Sequence, residues 1–222
     1  GYISGDDSQW SSWTLLGYTN GGISRIVAGD NIVISWRGTD GKIYTRYTSN
    51  GTTWSSANIS AKTILSGVSM VFDSTNNIIL QGIVSSGNYL YTRRSTDYGV
   101  TWSGWTQSLD YAISEPSFIF VDGRINRAVR TKDGVIVSRY SSDGGATWSS
   151  RDRTYGSSGM SKSSVVFSEI SQSNKLLQTY RGYDNSVYTR ISTDNGSTWS
   201  IQNVGTQFLS GIRASSTPVT VI

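Results

Sequence analysis

The chain has 222 residues, of which 36% are hydrophobic, 12% aromatic and 15% charged, with a formal net charge of +4. That length suffices for one large β domain or two small ones with a real core. Cys and His are both absent, which excludes disulfides, thiol nucleophiles and thiolate metal sites, and removes the commonest general base and transition-metal ligand. No cofactor and no metal are therefore expected.

Glycine is abundant at 24 residues and proline scarce at 2, alongside frequent Ser, Thr, Trp and Tyr. This suits many short strands joined by tight turns, not helices or disorder. No apolar run approaches the roughly 18 residues that span a bilayer, so no membrane insertion is expected. Fourteen Arg and five Lys are scattered singly, without the clustering of a nucleic-acid footprint. Such a mildly cationic surface reads either as an ordinary solvated one or as one attracted to acidic glycans or other anionic surfaces. The chain begins at Gly1 with no secretory pattern, which suggests a processed N-terminus.

Read in chain order, the sequence repeats. Residues 4–11 (SGDDSQWS) form a degenerate first copy ending at Trp10. An apolar strand follows at 24–30 (SRIVAGD), then a hairpin at 34–46 (ISWRGTDGKIYTR), then 46–55 (RYTSNGTTWS) ending at Trp54. The unit returns as SMVFDS (69–74), LQGIVSSGNYLYTR (80–93) and RRSTDYGVTWS (93–103) with Trp102. It returns again as SFIFVDG (117–123), RAVRTKDGVIVSR (127–139) and RYSSDGGATWS (139–149) with Trp148. The last full copy is SVVFSE (164–169), QTYRGYDNSVYTR (178–190) and RISTDNGSTWS (190–200) with Trp199. The tryptophans lie 44, 48, 46 and 51 residues apart.

Each unit reads as four short antiparallel strands. Residues 209–222 (LSGIRASSTPVTVI) match the start of a unit and the N-terminus matches the end of one. The expectation is a single all-β domain, 1–222: a five-bladed β-propeller of four-stranded antiparallel blades, closed by a composite blade from both termini.

The pattern Ser-x-Asp-x-Gly-x-Thr-Trp resembles the Asp-box, or BNR repeat, of sialidase-like propellers. It is complete at Ser95–Trp102, Ser141–Trp148 and Ser192–Trp199, while the copy before Trp54 has Asn50 and no Asp. The resemblance implies a structural turn at the propeller's periphery, so Asp97, Asp143 and Asp194 are expected to hold the fold. It also implies an extracellular or cell-surface setting. The sialidase catalytic pattern is missing. Arg25-Ile26-Val27 follows Ser24, so neither the flanking aromatic nor the Pro of that family's Arg motif is present. The only glutamates, Glu115 and Glu169, carry no recognisable partner motif. No catalytic residue is assigned. A sialidase-like or other glycoside hydrolase stays as one alternative reading, a structural or protein-interaction domain as another.

A second repeated feature reads either as arginine stems packed between blades, their guanidiniums satisfied by carbonyls or Asp-box carboxylates, or as binding sites. Arg37, Arg130 and Arg181 each stand nine residues before Arg46, Arg139 or Arg190. Tyr44, Tyr91 and Tyr188 each lie two before the arginine of the third strand. With Asp40-Gly41 as a two-residue hairpin loop, Arg37 would pair with Tyr44, and alternation would place Arg37, Tyr44 and Arg46 on one face. Trp36 would then lie in the core, while Trp13 and Trp105 are extra aromatics, either stacking platforms or caps. Arg37, Tyr44, Tyr91, Trp105, Arg130, Arg181 and Tyr188 are the candidate ligand contacts. Planar donors beside aromatic faces suit sugars, so the expected partners are glycans or glycoconjugates, held non-catalytically at repeated inter-blade sites.

Overall fold

In a computed structural model, residues 12–154, 165–170, 175–182 and 184–203 are described. They form four antiparallel sheets of four strands, each in simple sequential order. The first sheet holds β1 (Thr19–Ala28), β2 (Asn31–Gly38), β3 (Ile43–Thr48) and β4 (Asn58–Ser60). The second holds β5 (Ser69–Asp73), β6 (Ile78–Val84), β7 (Tyr89–Ser95) and β8 (Thr106–Tyr111). The third holds β9 (Ser117–Val121), β10 (Arg124–Arg130), β11 (Ile136–Ser141) and β12 (Asp152–Thr154). The fourth holds β13 (Val166–Ile170), β14 (Lys175–Arg181), β15 (Val187–Ser192) and β16 (Ser200–Asn203). The composite blade expected from both termini lies outside the described residues.

Neighbouring sheets face one another. The innermost strands β1, β5, β9 and β13 touch in succession. The core sits between sheets. Ala28, Val33 and Ile43 of the first sheet pack on Val68, Met70, Ile79 and Ile83 of the second. Leu80 of the second packs on Phe118 and Ile125 of the third. Ile119, Ala128 and Ile136 of the third pack on Phe167, Leu176 and Tyr180 of the fourth. The second and third sheets therefore bury both faces, and the arginines that enter these interfaces do so with partners.

The repeated turns have one hydrogen-bond pattern. Asp97 accepts from the Thr101 backbone N–H (2.8 Å) and from Thr101 Oγ1, while Ser95 Oγ accepts from the Gly99 N–H (2.8 Å). Asp143 with Thr147, and Asp194 with Thr198, repeat it. Burial works to raise these three carboxyls, yet hydrogen bonds from their own turn, the threonines' first, hold each below the ordinary carboxylate value. In the first sheet Asn50 Oδ1 takes the Asp role, accepting from the N–H groups of Thr52 and Thr53. The Asp residues thus satisfy the backbone of a turn, and Gly99 can adopt its φ of 91° because it has no side chain.

The hairpins between second and third strands correct one expectation. The Gly38 N–H bonds to Lys42 O (2.8 Å) and the Gly41 N–H to Gly38 O (2.9 Å), so the loop has three residues, with Gly41 at φ 77°. The same closure recurs from Ser85 to Tyr89, Thr131 to Val135 and Gly182 to Ser186, with Asn88, Gly134 and Asn185 at positive φ. This is the turn-plus-bulge geometry of three-residue hairpins. One extra loop residue slips the register by one, which moves a whole strand's side chains to the other face. Arg37 pairs with Ile43, and Trp36 with Tyr44. Arg37 therefore lies on the opposite face from Tyr44 and Arg46, and Arg181 on the opposite face from Tyr188 and Arg190. Trp36 is buried, as expected, but its neighbour is Tyr44, stacked at 5.6 Å between ring centroids.

Candidate functional site

Between sheets, the third-strand arginines act as staples. Arg93 Nε donates to Gln81 Oε1 (2.5 Å), Nη1 to Asn58 Oδ1 (3.1 Å) and Nη2 to Thr45 Oγ1 (3.3 Å), so β7 is tied to β3 and β4. Arg190 repeats this, donating to Gln178 Oε1 (2.5 Å), Asp152 Oδ2 (2.6 Å) and Ser138 Oγ (2.7 Å). The turn tryptophans cover these heads: Arg93 lies 4.6 Å from the Trp102 ring and Arg190 4.7 Å from Trp199. These buried guanidiniums hold the fold.

Outside the first staple, half-buried side chains of the first two sheets meet. Tyr91 and Gln107 are cross-strand partners, and the Tyr91 hydroxyl donates to Gln107 Oε1 (2.7 Å). Trp105 Nε1 donates across to Ser60 Oγ of β4 (2.8 Å). Lys62 Nζ lies 3.3 Å from the Tyr91 ring centroid, and Arg93 lies 4.8 Å from the Trp105 ring. Two half-buried aromatic rings, an ammonium, an amide and a hydroxyl thus line one gap between sheets. Tyr91 and Trp105 are the two expected candidates that the fold brings together.

The others are dispersed. Arg37 is half-buried at the end of β2, donating from Nη1 to Leu65 O (3.1 Å), with Nε buried and without a hydrogen-bond partner. Arg130 and Arg181 stand at the matching ends of β10 and β14, half-buried. Tyr44 donates to Asp40 (3.1 Å), and Tyr188 to Asp184 (2.6 Å) while stacking on Tyr180. Sequence reasoning missed Lys62, Gln107 and Ser60. Two of these come from the sheet opposite, whose proximity no local pattern reports.

A separate feature lies along the first strands of the sheets. The registers make Gly22, Gly67 and Glu115 equivalent positions, each three residues before the partner of Ile34, Gln81 or Arg127. A side chain on Gly67 would collide with the Glu115 carboxyl, and a Cβ on Gly22 would be 3.9 Å from Oε2. Two glycines therefore leave room for one acid. Burial raises this carboxyl to about 7, and among the described residues no cation or hydrogen-bond donor reaches it. Among those residues no group of His, Asp or Glu could hold a metal, and no helix is long and apolar enough to cross a membrane.

No family model matches the chain, and no curated protein matches it. Solved structures do. A protein of unknown function from Dyadobacter fermentans superposes with a TM-score of 0.64 at 15% identity, covering 86% of this chain and 72% of its own. A mutant of NanB sialidase from Streptococcus pneumoniae gives 0.59 at 12%, covering 87% of this chain and 52% of the sialidase, so the chain spans about half that protein's length. The intramolecular trans-sialidase from Ruminococcus gnavus, in complex with oseltamivir carboxylate, gives 0.58 at 11%, covering 82% and 70%. At these identities the likeness is one of fold: among the described residues, an all-β array of four-stranded antiparallel sheets of the β-propeller kind.

Proposed function

We propose that this chain is a five-bladed, carbohydrate-binding propeller acting outside the cell, and that the cleft between its first two sheets takes a sugar ring. The observation that carries the binding reading is the meeting of Tyr91 and Trp105 with Lys62, Ser60 and Gln107 at one half-exposed gap. Apolar ring faces beside a few directed polar groups are what a saccharide requires of a site. Replacing Trp105 with alanine is expected to weaken binding of a glycan identified on an array by about fivefold, read by titration calorimetry, since one aromatic contact is worth roughly 1 kcal/mol. Array binding to no glycan class, or an affinity untouched by the substitution, would sink this reading of the cleft.

The fifth blade is supported by a bare face. Ile23, Val27, Ile32 and Ile59 share one side of the first sheet and are 56%, 68%, 38% and 53% exposed. The equivalents of Ile32 in the other sheets, Ile79, Ile125 and Leu176, are all 0% exposed because a preceding sheet covers them. The two ends of the chain, whose sequences at 1–11 and 209–222 match the end and the start of one repeat, are the covering we assign. Deleting residues 209–222 should lower the melting temperature by about 5 °C or more and raise binding of an apolar dye. An unchanged melt without dye binding would leave the face to another partner.

A second reading, glycoside hydrolysis, is favoured by Glu115 alone. A carboxyl held near 7 suits a general acid, although hydrolysis of a glycoside commonly needs a second carboxyl opposite the first.

A further inference from the structure

The cleft between the second and third sheets departs from the staple pattern in its charge. Asp110 of β8 has a side chain only 1% exposed, and three guanidiniums converge on it. Arg127 Nη2 lies at 2.5 Å, Arg139 Nε at 2.8 Å and Arg151 Nε at 2.7 Å. At the third junction a single guanidinium meets a single carboxylate, Arg190 with Asp152. The extra charge at the second junction comes from Arg127, where the second and fourth sheets carry Gln81 and Gln178, and from Arg151, where the second sheet carries Trp105.

Three positive charges on one negative leave a local excess of two. Burial pulls Arg127 down to about 10, with Arg139 and Arg151 lowering it further and Asp110 opposing, so it is still cationic at neutral pH. Its Nη1 is buried with no hydrogen-bond partner, its Nη2 is engaged by Asp110, and its head lies 4.2 Å from the Trp148 ring. Arg139 is satisfied by Asp110 and by Ser149 O (2.6 Å). Arg151 is different: 40% exposed, it uses Nε for Asp110 and Nη2 for Leu109 O (2.8 Å), which leaves Nη1 uncommitted. Arg153, two residues on and exposed, points to the same face and also feels Asp133.

A staple alone does not require this surplus, since a neutral Gln at the Arg127 position serves both flanking sheets. We infer that the mouth of this second cleft, at Arg151 and Arg153, binds an oxyanion, the carboxylate or sulfate ester of an acidic saccharide. The buried arginines set the potential, and Arg151 offers the charge-assisted donor. The saccharide part rests on the carbohydrate-binding reading, whereas the oxyanion part does not. Its chemistry also separates this cleft from the first, where aromatic rings take the place of guanidiniums.

The test uses the full chain and three probes at fixed ionic strength: sodium sulfate, a sulfated oligosaccharide and a uronate-containing oligosaccharide, with a neutral oligosaccharide beside them. Arg151→Gln should weaken sulfate and whichever acidic oligosaccharide binds by about tenfold, and Arg151→Lys should restore part of it. Lys42→Gln, which removes one charge from the exposed hairpin of the first sheet, should leave both unchanged. Melting curves confirm that each variant is folded. Equal losses in Arg151→Gln and Lys42→Gln, or no saturable binding of any oxyanion, would overturn the site. Saturable sulfate binding lost in Arg151→Gln, with neither acidic oligosaccharide bound, supports the anion site and overturns its saccharide ligand.

Discussion

Replacing Asp110 with alanine should destabilise the protein by about 3–5 kcal/mol, the loss expected when one partner of a buried ionic cluster is removed. Arg127 and Arg139 have side chains 1% and 15% exposed, and both lose their carboxylate together. Neither can turn to water without opening the interface between the second and third sheets. Asp152→Ala is the internal comparison. It too removes the acid of an inter-sheet pair, but its side chain is 39% exposed, and the expected loss is nearer 1 kcal/mol. Urea unfolding at pH 7 measures both. The pH dependence has a definite sign. Burial alone would raise Asp110, but the hydrogen bond from Arg139 and the charges of Arg127, Arg139 and Arg151 hold it below its ordinary 3.8. A depressed acid stabilises at neutral pH and loses that contribution only as pH falls through the folded value, below about 4. The gap between wild type and Asp110→Ala should therefore narrow in acid. A loss under about 1 kcal/mol at pH 7 would mean that the arginines hold the junction without the carboxylate.

Much of the architecture was legible in the sequence because it repeats. The spacing from Trp54 to Trp199 marked the sheets, and the Ser, Asp, Gly and Thr of each turn announced the hydrogen bonds that the structure contains. The hairpin at Asp40-Gly41 was misread for a physical reason. An Asp-Gly pair suits a two-residue loop, but the same Gly also suits the bulge of a three-residue loop, and both demand positive φ. The choice between them rests on the Gly38 N–H finding Lys42 O, a pairing that composition does not reveal. That single residue decided which face carries Arg37, and with it the expected Arg and Tyr cluster. Tyr91 was found because it recurs within the unit, and Trp105 because it stands out as an extra aromatic beside the repeated one. Asp110 was not, since its three arginines come from three separate strands or loops of the next sheet. Glu115 gains its meaning only from the glycines that stand in its place in the first two sheets.

Glu115→Gln should stabilise the protein in base and leave it unchanged in acid. Burial lifts this carboxyl from its ordinary 4.5 to about 7. An acid raised on folding contributes its full stability below the unfolded value, and that contribution falls away as pH rises toward the folded value. The window is therefore about pH 4.5 to 7, and a gap of this width corresponds to about 3 kcal/mol as an upper bound. The amide is isosteric and keeps the space that Gly22 and Gly67 leave open, so packing should be conserved. Unfolding free energies of wild type and variant should coincide near pH 4 and diverge through neutrality, with the variant flat at pH 8. Parallel curves would mean that the carboxyl is paired or hydrated. The same variant separates the two functional readings. If wild type releases the aglycone of an aryl glycoside and Glu115→Gln does not, the burden carried by this acid is that of a general acid held protonated near neutrality, and hydrolysis displaces binding. If neither turns over, the acid's burden brings no hydrolysis with it, and recognition falls to the clefts between the sheets.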